Sequence, residues 1–247
     1  NDVMRAYYEW VGTTQRNNER NEAYLPIWSP NGSRDPFYYV IDPYSGGSDH
    51  VVFVGAGLGI PAVLMIVWPD QWYHTNRDTV DKADPTQLKR VVFISAAAAV
   101  TMAGAEPAEV ERLIPEVAMR CYERIGRAKT KAVRAILESG KEKLHDAYRE
   151  ADNALNQAFL RQEDILNSVR FFIRGDAGLE TLLKVQVKAV DDMRVPADQE
   201  LAQIYQARCR KEGVVPIRIT LTPEEIRVGK LVPVRTEKMK VPFDSQD

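Results

Sequence analysis

The sequence predicts an α/β fold, part of a mostly parallel sheet covered by helices, followed by an α-helical region and an extended tail. The sheet is predicted from residues 62–68, an unbroken apolar run that ends at Pro69, because a strand buried on both faces carries no polar positions. A covering helix is predicted from Pro85, a favoured first helical residue, to about Gly104. Residues 109–173 place apolar side chains at three- and four-residue steps among charges, which is typical of long amphipathic helices packed together.

The N-terminal residues predict short elements ahead of the sheet. Residues 2–11 place apolar and aromatic side chains at helical spacing, which predicts a short amphipathic helix ending near Gly12. Residues 13–22 are polar and are predicted to form a loop. Residues 24–28 and 37–41 are aromatic-rich runs bounded by Pro and Gly, consistent with strand or loop pieces.

The long helical pattern of the second half is expected to break near Gly126 or Gly140. His145 lies on a charged face of this pattern and is predicted to be solvated. Its isolation from other ligand types in the sequence argues against a metal-binding role.

Further elements are predicted beyond the glycine-rich break at residues 175–178. Helices are predicted over residues 179–193 and 198–211, and Asp198 is predicted to cap the second. Alternating apolar residues at 215–221 predict a strand. The residues from 222 to 247 are predicted to form an extended arm that packs on the helical region or on a partner subunit.

Composition excludes several functions. The 33 basic and 35 acidic side chains give a net charge of −2, so no global field attracts nucleic acid or anionic lipid. No stretch reaches the roughly 18 uninterrupted apolar residues of a membrane span. Cys121 and Cys209 form no Cys-x-x-Cys pattern and give no basis for inferring a disulfide, and Cys121 is predicted to be a buried thiol. We therefore expect no nucleic-acid partner and no membrane span.

His74 is the leading candidate for chemistry. It lies in the loop that leaves the end of the predicted strand, where open α/β sheets place their ligands. A neutral imidazole is the commonest metal ligand, and a nearby carboxylate such as Asp78 can fix its tautomer. On the residues alone, a hydrogen-bonded structural role for His74 remains open, as do turn or cap roles for Asp78, Asp81 and Asp84.

Four short motifs carry a family resemblance. They are Gly-Ser-Asp-His at 47–50, Gly-Ile-Pro-Ala at 59–62, Tyr-His-Thr-x-x-Asp-Thr at 73–79 and Asp-Pro-x-x-Leu at 84–88. In this order and at this spacing they resemble the C-terminal half of the co-catalytic zinc aminopeptidases. That superfamily includes bacterial leucyl aminopeptidases, glutamate carboxypeptidase and glutaminyl cyclase. The resemblance covers about residues 1–105 of the chain.

The resemblance implies an aminopeptidase-like exopeptidase that hydrolyses peptide bonds with a metal-activated water and two zinc ions per complete site. His74 matches the family's last zinc ligand, and Tyr73 matches a tyrosine that stabilises the oxyanion of the tetrahedral intermediate. Ser48, Asp49 and His50 match a turn beside the metal in the family. We expect these three residues, with Asp78, to support the metal ligands or to line the substrate pocket.

The family's other zinc ligands and its general base precede the Ser-Asp-His turn, and the residues before that turn contain no His and no Glu-Glu pair. The sequence also begins with Asn1 rather than Met. We therefore expect a C-terminal portion of a longer polypeptide, inactive alone, whose N-terminal part supplies the remaining ligands. Because members of the family are commonly exported, an extracytoplasmic location, secreted or periplasmic, is expected as well.

The chain is expected to have three parts. The resemblance implies that residues 1–105 are the C-terminal half of a zinc-peptidase-like α/β domain, and the residue patterns predict a helical region at 106–211 and an extended tail at 212–247. A homo-oligomer formed through the helical region is possible. Two other functions remain open. A non-catalytic peptidase-like binding or scaffolding protein would keep the framework and use the helical region for assembly. A glutaminyl cyclase would use similar ligands, although those relatives usually carry Trp where Tyr73 stands.

Overall fold

The computed structural model describes residues 2–19, 37–42, 44–55, 58 and 60–232. Throughout these residues the regular structure is helical, and they include no strand. The predicted α/β fold is therefore wrong for this part of the chain, which is all-α. The described residues form two compact units, one reaching Gly104 and the other spanning Ala105–Val232.

In its described residues, the first unit has three α-helices and one 3₁₀ turn. They are α1 (Asp2–Glu19), α2 (His50–Val54), the 3₁₀ turn Val80–Lys82 and α3 (Pro85–Gly104). Helix α1 packs on α3, and the hydroxyls of Tyr7 and Thr101 lie 2.6 Å apart across this contact. The bounds predicted for α3 are confirmed, but α1 runs well past Gly12. A glycine inside a helix costs only about 1 kcal/mol, which packing against another helix can offset.

Helix α3 buries one narrow face. Its buried residues follow a four-residue spacing: Thr86, Arg90, Ile94 and Ala98. The other faces are also apolar, yet Val92 and Val100 are exposed. The described part of this unit thus leaves much apolar surface in solvent.

The apolar run at residues 62–68 has no regular secondary structure and is not part of a sheet. No backbone hydrogen bond joins residues 62–68 to another described segment; the nearest one, from Ile60 N–H to the carbonyl of Phe53 at 2.8 Å, lies just before the run. The side chains of Val67 and Trp68 are 76% and 64% exposed. A continuous apolar run forms a buried strand only where neighbouring strands pair with it. The described residues provide no such neighbour, so the predicted strand is wrong for this structure.

The second unit is a helical bundle. Its elements are α4 (Pro107–Glu138), the 3₁₀ turn Lys141–Lys143, α5 (Leu144–Asn167), α6 (Arg170–Ile173), α7 (Ala177–Asp191), α8 (Arg194–Glu212) and α9 (Pro223–Val228). A reciprocal pair of hydrogen bonds between Glu106 and Glu109 caps the start of α4. Gly126 lies inside α4, so the chain breaks only at the second predicted position, beside Gly140.

The bundle core is formed by one face each of α4, α5, α7 and α8. Its fully buried members include Val110, Ile114, Ile136, Leu144, Leu155, Phe159, Leu166, Leu183, Val190 and Leu201. Most of the apolar positions predicted for α4 and α5 lie in this core, as their three- and four-residue spacing requires. Among the described residues, no single helix is both long and apolar enough to cross a membrane. Counted together, α3 and α4 have the length and the apolar composition of a membrane span.

Several predictions for the second unit need correction. Asp198 does not cap a helix, because α8 begins at Arg194 and Asp198 lies inside it. Residues 215–221 have no regular secondary structure and form no strand with other described residues. His145 is half-buried and hydrogen-bonded rather than solvated. Cys121 is a buried free thiol, as predicted, and Cys209 is buried and free too.

Asp198 is poorly accommodated as an anion. Its Oδ1 is buried without a hydrogen-bond partner among the described residues. Burial raises the pKa of the Asp198 carboxyl, the charge of Asp152 on α5 raises it further, and Arg194 opposes the rise. The ionised form therefore destabilises the packing of α8 on α5 at neutral pH.

Replacing Asp198 by Asn should stabilise the bundle at pH 7, by about 0.5 kcal/mol after allowance for solvent screening. Because the folded-state pKa is raised, the wild type regains this stability as the pH falls through that pKa, so the advantage of the variant should shrink towards pH 4. Urea denaturation at both pH values measures the difference. The exposed Asp164→Asn variant removes a carboxylate from the surface of α5 and is the matched control. A destabilised Asp198→Asn protein at pH 7 would contradict the prediction.

Candidate functional site

The loop that holds His74 is built from local hydrogen bonds. The backbone N–H of Trp72 donates to Asp70 Oδ1 at 2.8 Å, and the Thr75 hydroxyl donates to the Trp72 carbonyl at 2.7 Å. Between them, His74 has a backbone φ of +58°, in the left-handed region. Histidine adopts this region more often than most residues that carry a Cβ. The turn therefore fixes the backbone of His74 at the apex of the loop.

The His74 ring stacks on one aromatic neighbour, which in turn contacts a second. The rings of Tyr73 and His74 stack with centroids 3.8 Å apart and planes 20° apart. Trp68 meets Tyr73 edge-on, at a centroid distance of 5.5 Å. Both Tyr73 and His74 are exposed, and neither His74 ring nitrogen has a hydrogen-bond partner among the described residues. The structure thus brings together a phenol and an imidazole that are both accessible to a ligand.

Ser48, Asp49 and His50 form a separate group. Gly47 precedes them with a φ of +96°, and α2 begins at His50 without a side-chain cap from Asp49. His50 Nε2 lies 2.8 Å from the Ser45 carbonyl and must donate to it, so the buried Nδ1 of a neutral ring is an unprotonated acceptor. Among the described residues, no hydrogen bond or ring contact joins this group to Tyr73 or His74.

Of the three carboxylates that follow His74, Asp84 and Asp81 make local hydrogen bonds, and no hydrogen bond to the Asp78 side chain is found among the described residues. Asp84 Oδ1 accepts the N–H groups of Thr86 and Gln87, at 2.8 and 3.2 Å, and so caps α3. Asp81 contacts Lys82 and Thr79, and the hydrogen bond from Lys82 is the main reason that the pKa of its carboxyl is lowered. Asp78 is exposed, and no described residue hydrogen-bonds to its side chain.

A zinc site is not complete in this part of the chain. No group of three or more His, Cys, Asp or Glu side chains is positioned to hold a metal ion among the described residues. His74 can donate one imidazole nitrogen, but one ligand does not form a tetrahedral zinc site. The described residues therefore do not fit a zinc ion by themselves.

The sequence analysis did not predict two features of the first unit. Arg90 is fully buried, and its guanidinium lies 5.4 Å from the Phe37 ring centroid. An apolar cavity of about 310 Å³ is lined by Ala6, Tyr7 and Trp10 of α1 and Phe93 of α3. The helical spacing of Ala6, Tyr7 and Trp10 could have indicated a shared face, but the contact with Phe93 depends on how α1 packs on α3.

Comparison with known proteins supports the resemblance over the first unit. Residues 10–99 match Peptidase family M28, a family that is generally zinc-dependent. No curated protein and no solved structure matches the chain. The likeness to a zinc peptidase is therefore confirmed at the level of this family and over these residues, which include all six candidate site residues. The helical bundle lies outside the match.

Proposed function

We propose that this chain is the C-terminal portion of a zinc-dependent, aminopeptidase-like exopeptidase. The match of residues 10–99 to Peptidase family M28 carries the proposal. The exposed and stacked Tyr73 and His74 support it, because they lie within the matched residues and their phenol and imidazole are both accessible to a ligand.

In this proposal each residue has a defined role. His74 donates one ring nitrogen to a zinc ion, and its lack of a described hydrogen-bond partner leaves both nitrogens accessible. Tyr73 O–H donates to the oxyanion that develops as the scissile carbonyl becomes tetrahedral. Ser48, Asp49, His50 and Asp78 remain candidates for the substrate pocket.

The remaining ligands must come from outside the described residues. The partner that we propose is the N-terminal part of the same catalytic domain, and the substrate is a peptide. An extracytoplasmic location and a homo-oligomer formed through the helical bundle belong to the same proposal.

Removal of metal from the full-length protein tests the catalytic role. Dialysis against a chelator should lower hydrolysis of aminoacyl nitroanilides by about 100-fold or more, because zinc-dependent hydrolysis requires the ion. Added zinc should restore the rate. Hydrolysis that persists in protein shown to be metal-free would overturn the proposal. Glutaminyl substrates assayed beside aminoacyl substrates would reveal cyclisation instead of hydrolysis.

A non-catalytic binding or scaffolding protein is the second candidate. It is favoured by the helical bundle, which has its own buried core and lies outside the family match. This candidate predicts a full-length protein that binds no zinc and hydrolyses none of the substrates. Its upstream sequence would lack the His, Asp and Glu-Glu series of the complete family site.

A further inference from the structure

Trp68 is an exposed aromatic residue beside Tyr73, and the proposed function gives it no role. Its side chain is 64% exposed at the end of the apolar run 62–68, and its ring meets the Tyr73 ring edge-on at a centroid distance of 5.5 Å. Single exposed apolar residues are common on protein surfaces and need no explanation by themselves. Trp68 is distinguished by its neighbour, because Tyr73 is the proposed oxyanion donor.

A short turn brings these two rings together. The Tyr73 N–H donates to the Asp70 carbonyl at 3.4 Å, which folds the chain back after Pro69. Trp68 precedes this turn and Tyr73 lies within it, so their contact depends on how the turn folds. The backbone that presents His74 at the apex of the loop therefore also places Trp68 beside Tyr73.

The surroundings of Trp68 leave its ring open to a ligand. The His74 ring stacks on Tyr73, and among the described residues no ring contact joins Trp68 to His74. A ligand on Trp68 would thus leave the imidazole free for a zinc ion. Trp72 in the same loop is less accessible, because it is half-buried and the Lys82 ammonium lies 5.1 Å from its ring centroid.

The covalent structure of a peptide decides which of its side chains comes nearest to Trp68. When Tyr73 donates to the oxygen of the scissile carbonyl, the first residue's side chain branches from the carbon bonded to that carbonyl. The second residue's side chain branches one atom further away, beyond the scissile amide. Aromatic rings pair at centroid distances of about 4.5–7 Å, so an aromatic first side chain can contact the Trp68 ring.

We propose that Trp68 forms the subsite for the first residue of the peptide and favours substrates in which that residue is aromatic. This inference rests on the proposed peptidase function. An aromatic side chain can meet the Trp68 ring edge-on or offset, and such a pair is more stable than burial of its apolar area alone would make it. A saturated ring of similar size buries apolar surface but lacks the π-electrons for this contact. Trp68 therefore distinguishes aromatic from aliphatic first residues, and not merely large from small ones.

Hydrolysis of two nitroanilides by the full-length protein tests this subsite. Phenylalanyl and cyclohexylalanyl nitroanilide share a leaving group and differ in the aromaticity of the first side chain. The wild type should hydrolyse the phenylalanyl substrate with a kcat/KM about 2- to 10-fold higher, which is the effect of one aromatic pair. Trp68→Leu keeps an apolar side chain and should abolish this difference, whereas Trp68→Phe should preserve it.

Phe171→Leu is the matched control for these variants. It removes another exposed aromatic ring, in the helical bundle and outside the family match, and should leave the ratio of the two kcat/KM values unchanged. Zinc content should be the same in all the variants, which verifies that the metal site is intact.

Three results would overturn the subsite while leaving the proposed function in place. They are equal kcat/KM values for the two substrates in the wild type, a preference that persists in Trp68→Leu, and an equal loss of both activities in Trp68→Leu. The last result would mean that Trp68 contacts the shared leaving group instead of the first side chain. A wild-type protein that hydrolyses neither substrate would overturn the proposed function and this inference together.

Discussion

Replacement of His74 by Ala in the full-length protein should remove bound zinc and lower peptide hydrolysis by about 100-fold or more. Loss of a direct metal ligand should cost at least as much as the 10- to 100-fold typical of residues that only orient ligands. Because His74 is exposed at the apex of its loop, the substitution should leave folding intact. Zinc content by elemental analysis and the rate of aminoacyl nitroanilide hydrolysis measure the two effects.

Two further variants isolate the role of His74. His145→Gln removes a histidine outside the family match and should change neither zinc content nor hydrolysis. Tyr73→Phe keeps the ring that stacks on His74 and removes only its hydroxyl. The variant should retain zinc while its kcat falls by about 100- to 1,000-fold, as expected for loss of an oxyanion donor. Unchanged zinc stoichiometry in His74→Ala would refute the ligand assignment.

Replacement of Phe159 by Ala should destabilise the helical bundle by about 3–5 kcal/mol. Phe159 is 0% exposed on the buried face of α5, and the Arg194 guanidinium lies 5.6 Å from its ring centroid. The truncation removes buried apolar surface and leaves a cavity that close-packed neighbours cannot fill. The cation–π contact with Arg194 is lost at the same time.

The adjacent residue provides the control. Leu160 follows Phe159 about 100° further round α5 and is 43% exposed, so Leu160→Ala should cost less than about 1 kcal/mol. Urea denaturation followed by circular dichroism measures both variants. Equal losses in Phe159→Ala and Leu160→Ala would show that the bundle core does not depend on the face of α5 found here.

The helical parts of the chain were predictable because their signals are local. Pro85 after Asp84 marked the start of α3, and Gly140 marked the break between α4 and α5. The apolar spacing over residues 109–173 placed most of the bundle core on the correct faces, since a helix brings residues three and four apart onto one side. The bounds failed where packing overrode local preference, as at Gly12 in α1 and at the start of α8.

The candidate site was only partly predictable. Tyr73 and His74 are neighbours in the sequence, so their shared exposure could be expected from the loop between Pro69 and Asp84. The relation of His50 to His74 could not, because it depends on how distant segments pack. Motif spacing indicates which residues belong to a family's site, but convergence of ligands on a metal is a property of the tertiary structure.

The sequence by itself determined the helices of the bundle, the faces that they bury and the likeness of residues 10–99 to a zinc peptidase family. Only the tertiary structure decided that residues 62–68 lack strand partners, that Asp198 lies half-buried inside α8, and that His145 contacts Tyr205. Helical hydrogen bonds join residues four apart and are encoded locally. Strand pairing and side-chain contacts between helices join residues far apart, so no local pattern specifies them.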